Sequence, residues 1–315
     1  MAQIVCVGIL VADILARPVE SYPARGHLML VDEVRPSIGG CAANTGIGLH
    51  KLGISAAVVG RVGRDGFGDF VRAELNRFDL DCRGVGVDPL AATSATAAFV
   101  AADGERSFIH SIGANATLTP AAIAWDVTQD ARLLHIAGHF LMPGLDGEPC
   151  AQVLQEARRR GLRTSLDTAG RLQDMNWETL LPCLPHLDFL LPSFSEAARC
   201  VPPSVADSPA SIAQWFIDQG VGTVALKMGE AGSMAQCGDH KVSVAPFPVH
   251  AVDATGAGDA FVAGFLTGVL HDFDLEHCAR LGNAVGACCA THMGTIDGIL
   301  SLSQTLIWLD SQSEK

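Results

Sequence analysis

The chain has 315 residues, 49% of them hydrophobic and 17% charged, with 21 Lys and Arg against 34 Asp and Glu for a net charge of −13. That length and apolar content suit one large domain or two ordinary ones and exclude intrinsic disorder. The acidic balance argues against nucleic-acid and membrane-surface partners, which need a basic face, but not against a phosphate ligand, which backbone N–H groups hold.

Short apolar runs alternate with longer helical patterns. Residues 4–11 read as a buried strand, and 14–36 as an extended stretch with no helical period. A helix over 42–52 closes at Gly53, a strand follows at 56–59, and a helix at 68–78. The stretch 94–112 reads as a hairpin turning at Asp103-Gly104. Strands at 133–136, 163–166, 189–191 and 224–226 then alternate with helices at 149–160, 208–219 and 259–270, two of which stop at Gly161 and Gly220. This rhythm predicts an α/β fold with a mostly parallel sheet covered on both faces. The stretches 14–36 and 94–112 fit no crossover; they are expected to pair as a small sheet, a lid over one edge. No repeat or linker divides the chain, so 1–315 reads as a single domain.

The 10 cysteines show no C-x-x-C pair. Cys6, Cys41 and Cys278 read as small hydrophobes, and the adjacent Cys288 and Cys289 suit no ordinary disulfide with each other. The 11 histidines are scattered without zinc spacing, and for each a hydrogen-bonded structural role is expected. The N-terminus lacks a basic region and Asp13 interrupts its apolar run, so no signal peptide is read and a reducing cytoplasm is expected.

Ligands of open α/β sheets bind beyond the carboxyl ends of the strands. Asp13, His139, Asp167, Ser193, Glu196, Lys227, Asp253 and Asp259 each follow an apolar run, which predicts a cleft with carboxylates and one lysine. The sharpest motif is Asp253-Ala-Thr-Gly-Ala-Gly-Asp259, entered by an expected strand and left by an apolar helix. Gly256, Ala257 and Gly258 carry almost no side chain, so their N–H groups can approach an anion at a helix N-terminus. Asp259 in that first turn is either a helix-dipole acid worth about 0.3–1 kcal/mol or a base for a substrate hydroxyl; the small neighbours favour the base. A second motif, Gly39-Gly40-Cys-Ala-Ala-Asn44, lets backbone approach a ligand and supplies an amide suited to a polyol hydroxyl. The P-loop, dinucleotide, G-x-S-x-G and H-E-x-x-H patterns are absent.

The Asp253–Asp259 motif resembles the C-terminal signature of the PfkB, or ribokinase-like, carbohydrate kinases, and Gly39–Asn44 with Leu52-Gly53 resembles their N-terminal one. The blocks at Gly63–Gly68, Lys227–Gly232 and Asn283-Ala-Val-Gly-Ala are similar to family blocks, so the likeness spans the chain. It implies a ribokinase-like three-layer α/β/α fold with a β lid, and transfer of the γ-phosphate of ATP to a sugar hydroxyl. By likeness Asp259 is the base, and Gly256, Ala257 and Gly258 form the anion hole. Asp13, Gly39, Gly40 and Asn44 hold the sugar. Ser193, Lys227, Gly229, Gly232 and Asn283 lie near the nucleotide. Glu196 organises Mg2+ through water, and Asp253 corresponds to the carboxylate of a potassium site. The partners implied are a small sugar and ATP, with a second subunit covering the lid.

Three positions depart from the pattern: Ser193 stands for the family Asn, and Cys41 stands where ribokinases proper carry Lys. The sole tyrosine, Tyr22, falls in the lid, where relatives acting on a keto-deoxy sugar acid use Tyr and Arg. Arg106, in the second lid piece, reads as a solvated hairpin charge, with recognition of an anionic substrate as the alternative. A nucleoside kinase and a catalytically silent relative are the alternatives, and the motifs do not identify the sugar.

Overall fold

The computed structural model describes residues 2–102 and 106–313. In chain order the strands are β1 (Ile4–Gly8), β2 (Val11–Arg17), β3 (Glu33–Gly39), β4 (Ala56–Gly63), β5 (Asp81–Asp88), β6 (Ala95–Val100), β7 (Arg106–Ser111), β8 (Leu133–His139), β9 (Arg163–Thr168), β10 (Phe189–Leu190), β11 (Thr223–Lys227), β12 (Ser233–Cys237) and β13 (His240–Val244). The α-helices are α1 (Cys41–Lys51), α2 (Gly66–Arg77), α3 (Glu148–Arg159), α4 (Trp177–Leu180), α5 (Phe194–Ala197), α6 (Pro209–Asp218), α7 (Ala257–Leu270), α8 (Leu275–Ala290) and α9 (Leu302–Ser313). Among the described residues no helix is long and apolar enough to cross a membrane.

Nine strands form one sheet in the order β13-β12-β11-β10-β9-β8-β1-β4-β5. It is parallel from β5 to β11 and antiparallel at β12 and β13. Both faces are covered, and β1 shows why its sequence is continuously apolar. Ile4 and Cys6 join the core layer shared with α1, α7 and α8, while Val5 and Val7 join the layer shared with α3 and α6. Helix α7 is apolar on all sides because it is enclosed: every residue from Ala260 to Leu270 is buried. Its glycines admit α8, since a Cβ on Gly264 would stand 2.8 Å from the Leu281 carbonyl oxygen. Gly53, Gly161 and Gly220, with φ of 86°, 81° and 101°, end their helices as the sequence predicts.

The second sheet has four strands in the order β3-β2-β6-β7, with its own small cluster of Leu15, Ala98 and Val100. It draws on both predicted extended stretches but is wider, reaching back to Val11 and on to Gly39. The expected Asp103-Gly104 turn lies outside the described residues.

Two expectations need correction. The run 4–11 is not one strand: the chain leaves the main sheet after Gly8 and enters the small one at Val11. Both halves are buried, so hydropathy does not reveal the break. The side chain of buried Asn115 bonds both the N–H and the C=O of Leu10 there, at 3.1 Å each, satisfying the backbone between sheets. Asp13 consequently sits inside β2, not at the carboxyl edge of the main sheet. The run ending at Val252 is also not a strand. Pro246 and Pro248 remove donors from it, and the N–H groups of Val252 and Asp253 bond the Ala290 carbonyl at the end of α8, at 2.8 and 3.1 Å. Strands β5, β12 and β13 and helices α8 and α9 were not predicted.

Candidate active site

The site begins at the N-terminus of α7. Gly256 has φ 78°, and a Cβ there would lie 2.5 Å from the Thr295 carbonyl oxygen, so the turn tolerates no side chain. The first turn of the helix presents N–H groups that lack intrahelical acceptors. Gly258 is exposed, and its missing Cβ would stand 3.6 Å from Lys227 Nζ. Lys227 ends β11, and its ammonium donates to both carboxylate oxygens of Asp167 on β9 at 2.7 Å each. Burial works against that ammonium, but Asp167, Glu196 and Asp259 outweigh it and hold Lys227 protonated. A fixed positive charge thus borders the turn, in which the Ala257 N–H is already committed to the Ala254 carbonyl at 3.2 Å.

Asp259 lies in the first turn of α7, and its Oδ2 accepts from Asn44 Nδ2 of α1 at 2.8 Å. The two helices meet along one face. Four residues after Asn44, a Cβ on Gly48 would stand 2.9 Å from the Cβ of Ala263, four residues after Asp259. The glycine brings the helices close enough for residues 215 apart in sequence to bond. Burial raises the Asp259 carboxyl above the ordinary value, opposed by Asn44, Lys227 and Cys41. Asn44 Oδ1 is buried without a partner among the described residues, an acceptor aimed at nothing in the protein.

Asp13 adjoins this pair through the Gly-Gly turn. A Cβ on Gly39 would lie 2.1 Å from Asp13 Oδ2, and one on Gly40, whose φ is 92°, 2.5 Å from the Ile9 carbonyl oxygen. Both glycines are therefore demanded by close approach. Burial pushes the Asp13 carboxyl up to about 6, against Thr96 and Arg106.

On the other side, Ser193 and Glu196 form a capping box on α5. Glu196 Oε2 accepts from Ser193 Oγ at 2.6 Å, Ser193 N–H at 3.0 Å and Thr168 Oγ1 at 3.1 Å. The serine that replaces Asn thus anchors the glutamate. Gly229 (φ 56°) meets nothing within 4 Å, leaving its surroundings open, whereas Gly232 packs on the β13 backbone. Asn283 Nδ2 is committed to the carbonyls of Val244 and Ala245, at 3.2 Å each, and so fixes the wall after β13.

Arg106 is the residue most misjudged from sequence. Its side chain is only 9% exposed, not solvated. It reaches from β7 to the carboxylate of Asp253, to Thr255 Oγ1 at 2.8 Å and to Met293 Sδ at 3.1 Å. Asp253 also accepts from the N–H groups of Thr255 (2.9 Å) and Gly294 (2.7 Å). The small sheet is thereby tied to the anion turn. Asp167 and Thr168 were also undervalued, since only the fold brings β9 against Lys227 and Glu196. His139 does not belong to the cleft: it is wholly buried in the α3 layer.

The pfkB family carbohydrate kinase profile matches residues 1–301. An uncharacterised sugar kinase of Archaeoglobus fulgidus is 33% identical over 264 residues, 80% of this chain and 98% of that protein. Fructokinase-2 of Oryza sativa subsp. japonica is 30% identical over 289 residues, 85% of this chain and 84% of that protein. Among solved structures, an Arabidopsis thaliana ribokinase complexed with ribose and ATP superposes with a TM-score of 0.84 at 25% identity, covering 98% of this chain and 99% of that one. Fold and relatives together define a phosphotransferase with a ribokinase-like fold. The chain belongs to the PfkB family of carbohydrate kinases.

Proposed function

We propose that this kinase transfers the γ-phosphate of ATP to a hydroxyl of a small neutral sugar, with Asp259 as the base. The observation that carries this reading is the Asn44–Asp259 bond beside the Gly256–Gly258 turn and Lys227. It sets a carboxylate, an unpartnered acceptor and an anion site at one point. The sugar lies against Asp13, Gly39, Gly40 and Asn44, its reactive hydroxyl donating to Asp259 while Asn44 Oδ1 accepts from a neighbouring hydroxyl. The transferring phosphoryl group rests on the N–H groups of the α7 turn and against Lys227, which offset its charge; phosphoryl transfer needs positioning and charge stabilisation above all. ATP extends past Ser193 towards Gly229, Gly232 and Asn283. The uncharged Cys41 and the acidic Asp13 make the sugar side unsuited to an anionic substrate.

The hard oxygen donors of Glu196 fit a hydrated Mg2+, which keeps several waters and binds one or two carboxylates plus phosphates, whereas both oxygens of Asp167 are taken by Lys227. When bound, Mg2+ neutralises phosphate charge; Ser193 and Thr168 orient Glu196 towards it. Potassium fits Asp253 less well, because N–H groups and the Arg106 guanidinium already occupy that carboxylate. Arg106 supplies the positive charge there and links the small sheet to the anion turn, so that sheet acts as a lid. Val34, Phe108 and Ile109 on the sheet are 63%, 54% and 58% exposed, which supports its being covered by a second copy.

The test is Asp259→Asn assayed on a panel of pentoses, hexoses, sugar phosphates and nucleosides. On the preferred sugar kcat is expected to fall at least about 10²-fold with ATP affinity unchanged. Turnover near wild type would refute the base, and preference for a nucleoside would replace the sugar reading.

A further inference from the structure

Behind the cleft, in the core layer under α3, three potential ligands converge that no sequence spacing suggests. His139 ends β8, Cys150 lies in the first turn of α3, and Cys183 lies in the 3-10 turn Leu181–His186 before β10. All three are 0% exposed, and their donor atoms lie within 4.8 Å of one another.

Independent features mark the cluster as more than ordinary core. Neither ring nitrogen of His139 has a hydrogen-bond partner among the described residues. A buried neutral imidazole carries a donor and an acceptor, and protein interiors ordinarily satisfy both. The backbone is bent around this residue: the β8–β9 register shifts between Ala137 and His139, and Gly138 and Phe140 have φ of 95° and 82°. For Phe140, which has a Cβ, that conformation is strained, and strain and bulges of this kind recur where a side chain is aimed at a site. Asp146 Oδ1 stands 3.3 Å from His139 Nδ1 without hydrogen-bond geometry. The Asp146 carboxylate is itself held by the N–H groups of Phe140 (2.9 Å) and Met142 (3.0 Å), which fixes it behind the imidazole.

We propose that His139, Cys150 and Cys183 form a buried structural site for a thiophilic divalent cation, Zn2+, with the Asp146 carboxylate behind the imidazole of His139. Two thiols and an imidazole are a donor set of zinc sites, and Asp146 stands to His139 as the carboxylate that usually backs a ligating histidine. Zn2+ enters as Cys150 and Cys183 release one proton each to solvent, so the pocket's net charge does not change. The site is buried away from the cleft and is structural. It fastens the loop from His139 to Asp146 at the sheet edge beside Thr168, whose partner in the register is His139.

The test uses the full chain, reduced, stripped with chelator, then loaded with Zn2+ or Co2+ and desalted. One equivalent of zinc is expected to remain, the melting temperature to rise, and Co2+ to give a thiolate charge-transfer band with tetrahedral d–d absorption. Cys150→Ala/Cys183→Ala should abolish the band and the retained equivalent while sugar kinase turnover persists, and Asp146→Asn should weaken zinc binding about 10–100-fold. Should the double variant not fold, Cys183→Ser alone is read: a weakened thiolate band supports the site. Wild type that retains no zinc and gives no Co2+–thiolate band overturns the proposal. So does a band left unchanged by these substitutions, which would arise from other cysteines such as the exposed Cys237.

Discussion

At the scale of single residues, the geometry turns on what each carboxylate touches. Asn44 lowers the pKa of Asp259 by donating to its charged form, while burial raises it. As the proposed base, Asp259 works only when deprotonated, so activity is expected to rise with pH through its pKa, which lies above the ordinary carboxylate value. Asn44→Ala removes a lowering influence; the acid limb of the kcat/KM profile should therefore move to higher pH, alongside a loss of sugar affinity. An acid limb that stays put or moves down would show that Asn44 does not tune the base. Asp13 behaves differently. In its proposed role, with its pKa pushed up to about 6, it accepts from sugar hydroxyls as a charged group above that pH and loses the role below it. Sugar KM is expected to climb as pH falls through 6 while ATP KM stays level. Asp13→Asn should flatten this dependence and raise sugar KM about tenfold, as expected for one charged hydrogen bond of about 1.5–3 kcal/mol.

At the scale of elements, the active site is a set of junctions. Helices α1 and α7 meet through Gly48, β9 and β11 through Asp167–Lys227, and the small sheet meets the α7 turn through Arg106. The last is the only one of these three that crosses between sheets. Arg106→Ala leaves Asp253 buried without its cation, and breaking such a pair costs about 3–5 kcal/mol. Denaturant unfolding should show that loss, and kcat should fall more than KM because the lid is untied from the phosphate turn. Wild-type turnover should change less than twofold when K+ is replaced by tetramethylammonium, whereas Arg106→Ala should gain activity from K+. Strong potassium activation of the wild type would show that Arg106 does not fill the cation's place.

At the scale of the whole molecule, the two sheets differ in how much core they hold. Among the described residues the small sheet has a cluster of its own of just Leu15, Ala98 and Val100, its other buried side chains joining the main core, and bears exposed Val34, Phe108 and Ile109. A sheet with so little core gains stability by pairing with another copy. Sedimentation is expected to give a dimer, and Phe108→Asp with Ile109→Asp a monomer with a raised sugar KM. A wild-type monomer at micromolar concentration would remove the dimer but leave the active-site assignment standing.

Local signals were enough for the layered α/β class, the capped helices and the α7 turn. Gly256 and Gly258 announce a backbone that must approach something, and the strand runs are apolar because both faces are covered. The split of residues 4–11 was illegible because buried strands of two sheets have the same hydropathy. The Arg106–Asp253 tie was illegible because a charge on a hairpin looks solvated until another element packs over it. Asn44 looked like a sugar ligand, and only the approach of α1 to α7 reveals that its amide holds the base while its oxygen stays free. His139, Cys150 and Cys183 lie 11 and 33 residues apart, separations with no local period. Sequence alone thus determined what depends on a residue and its near neighbours: turn glycines, caps, periodicity and the small-residue motif. Tertiary structure decided which polar groups meet, since the long-range packing of helices and strands, not chain spacing, sets those distances.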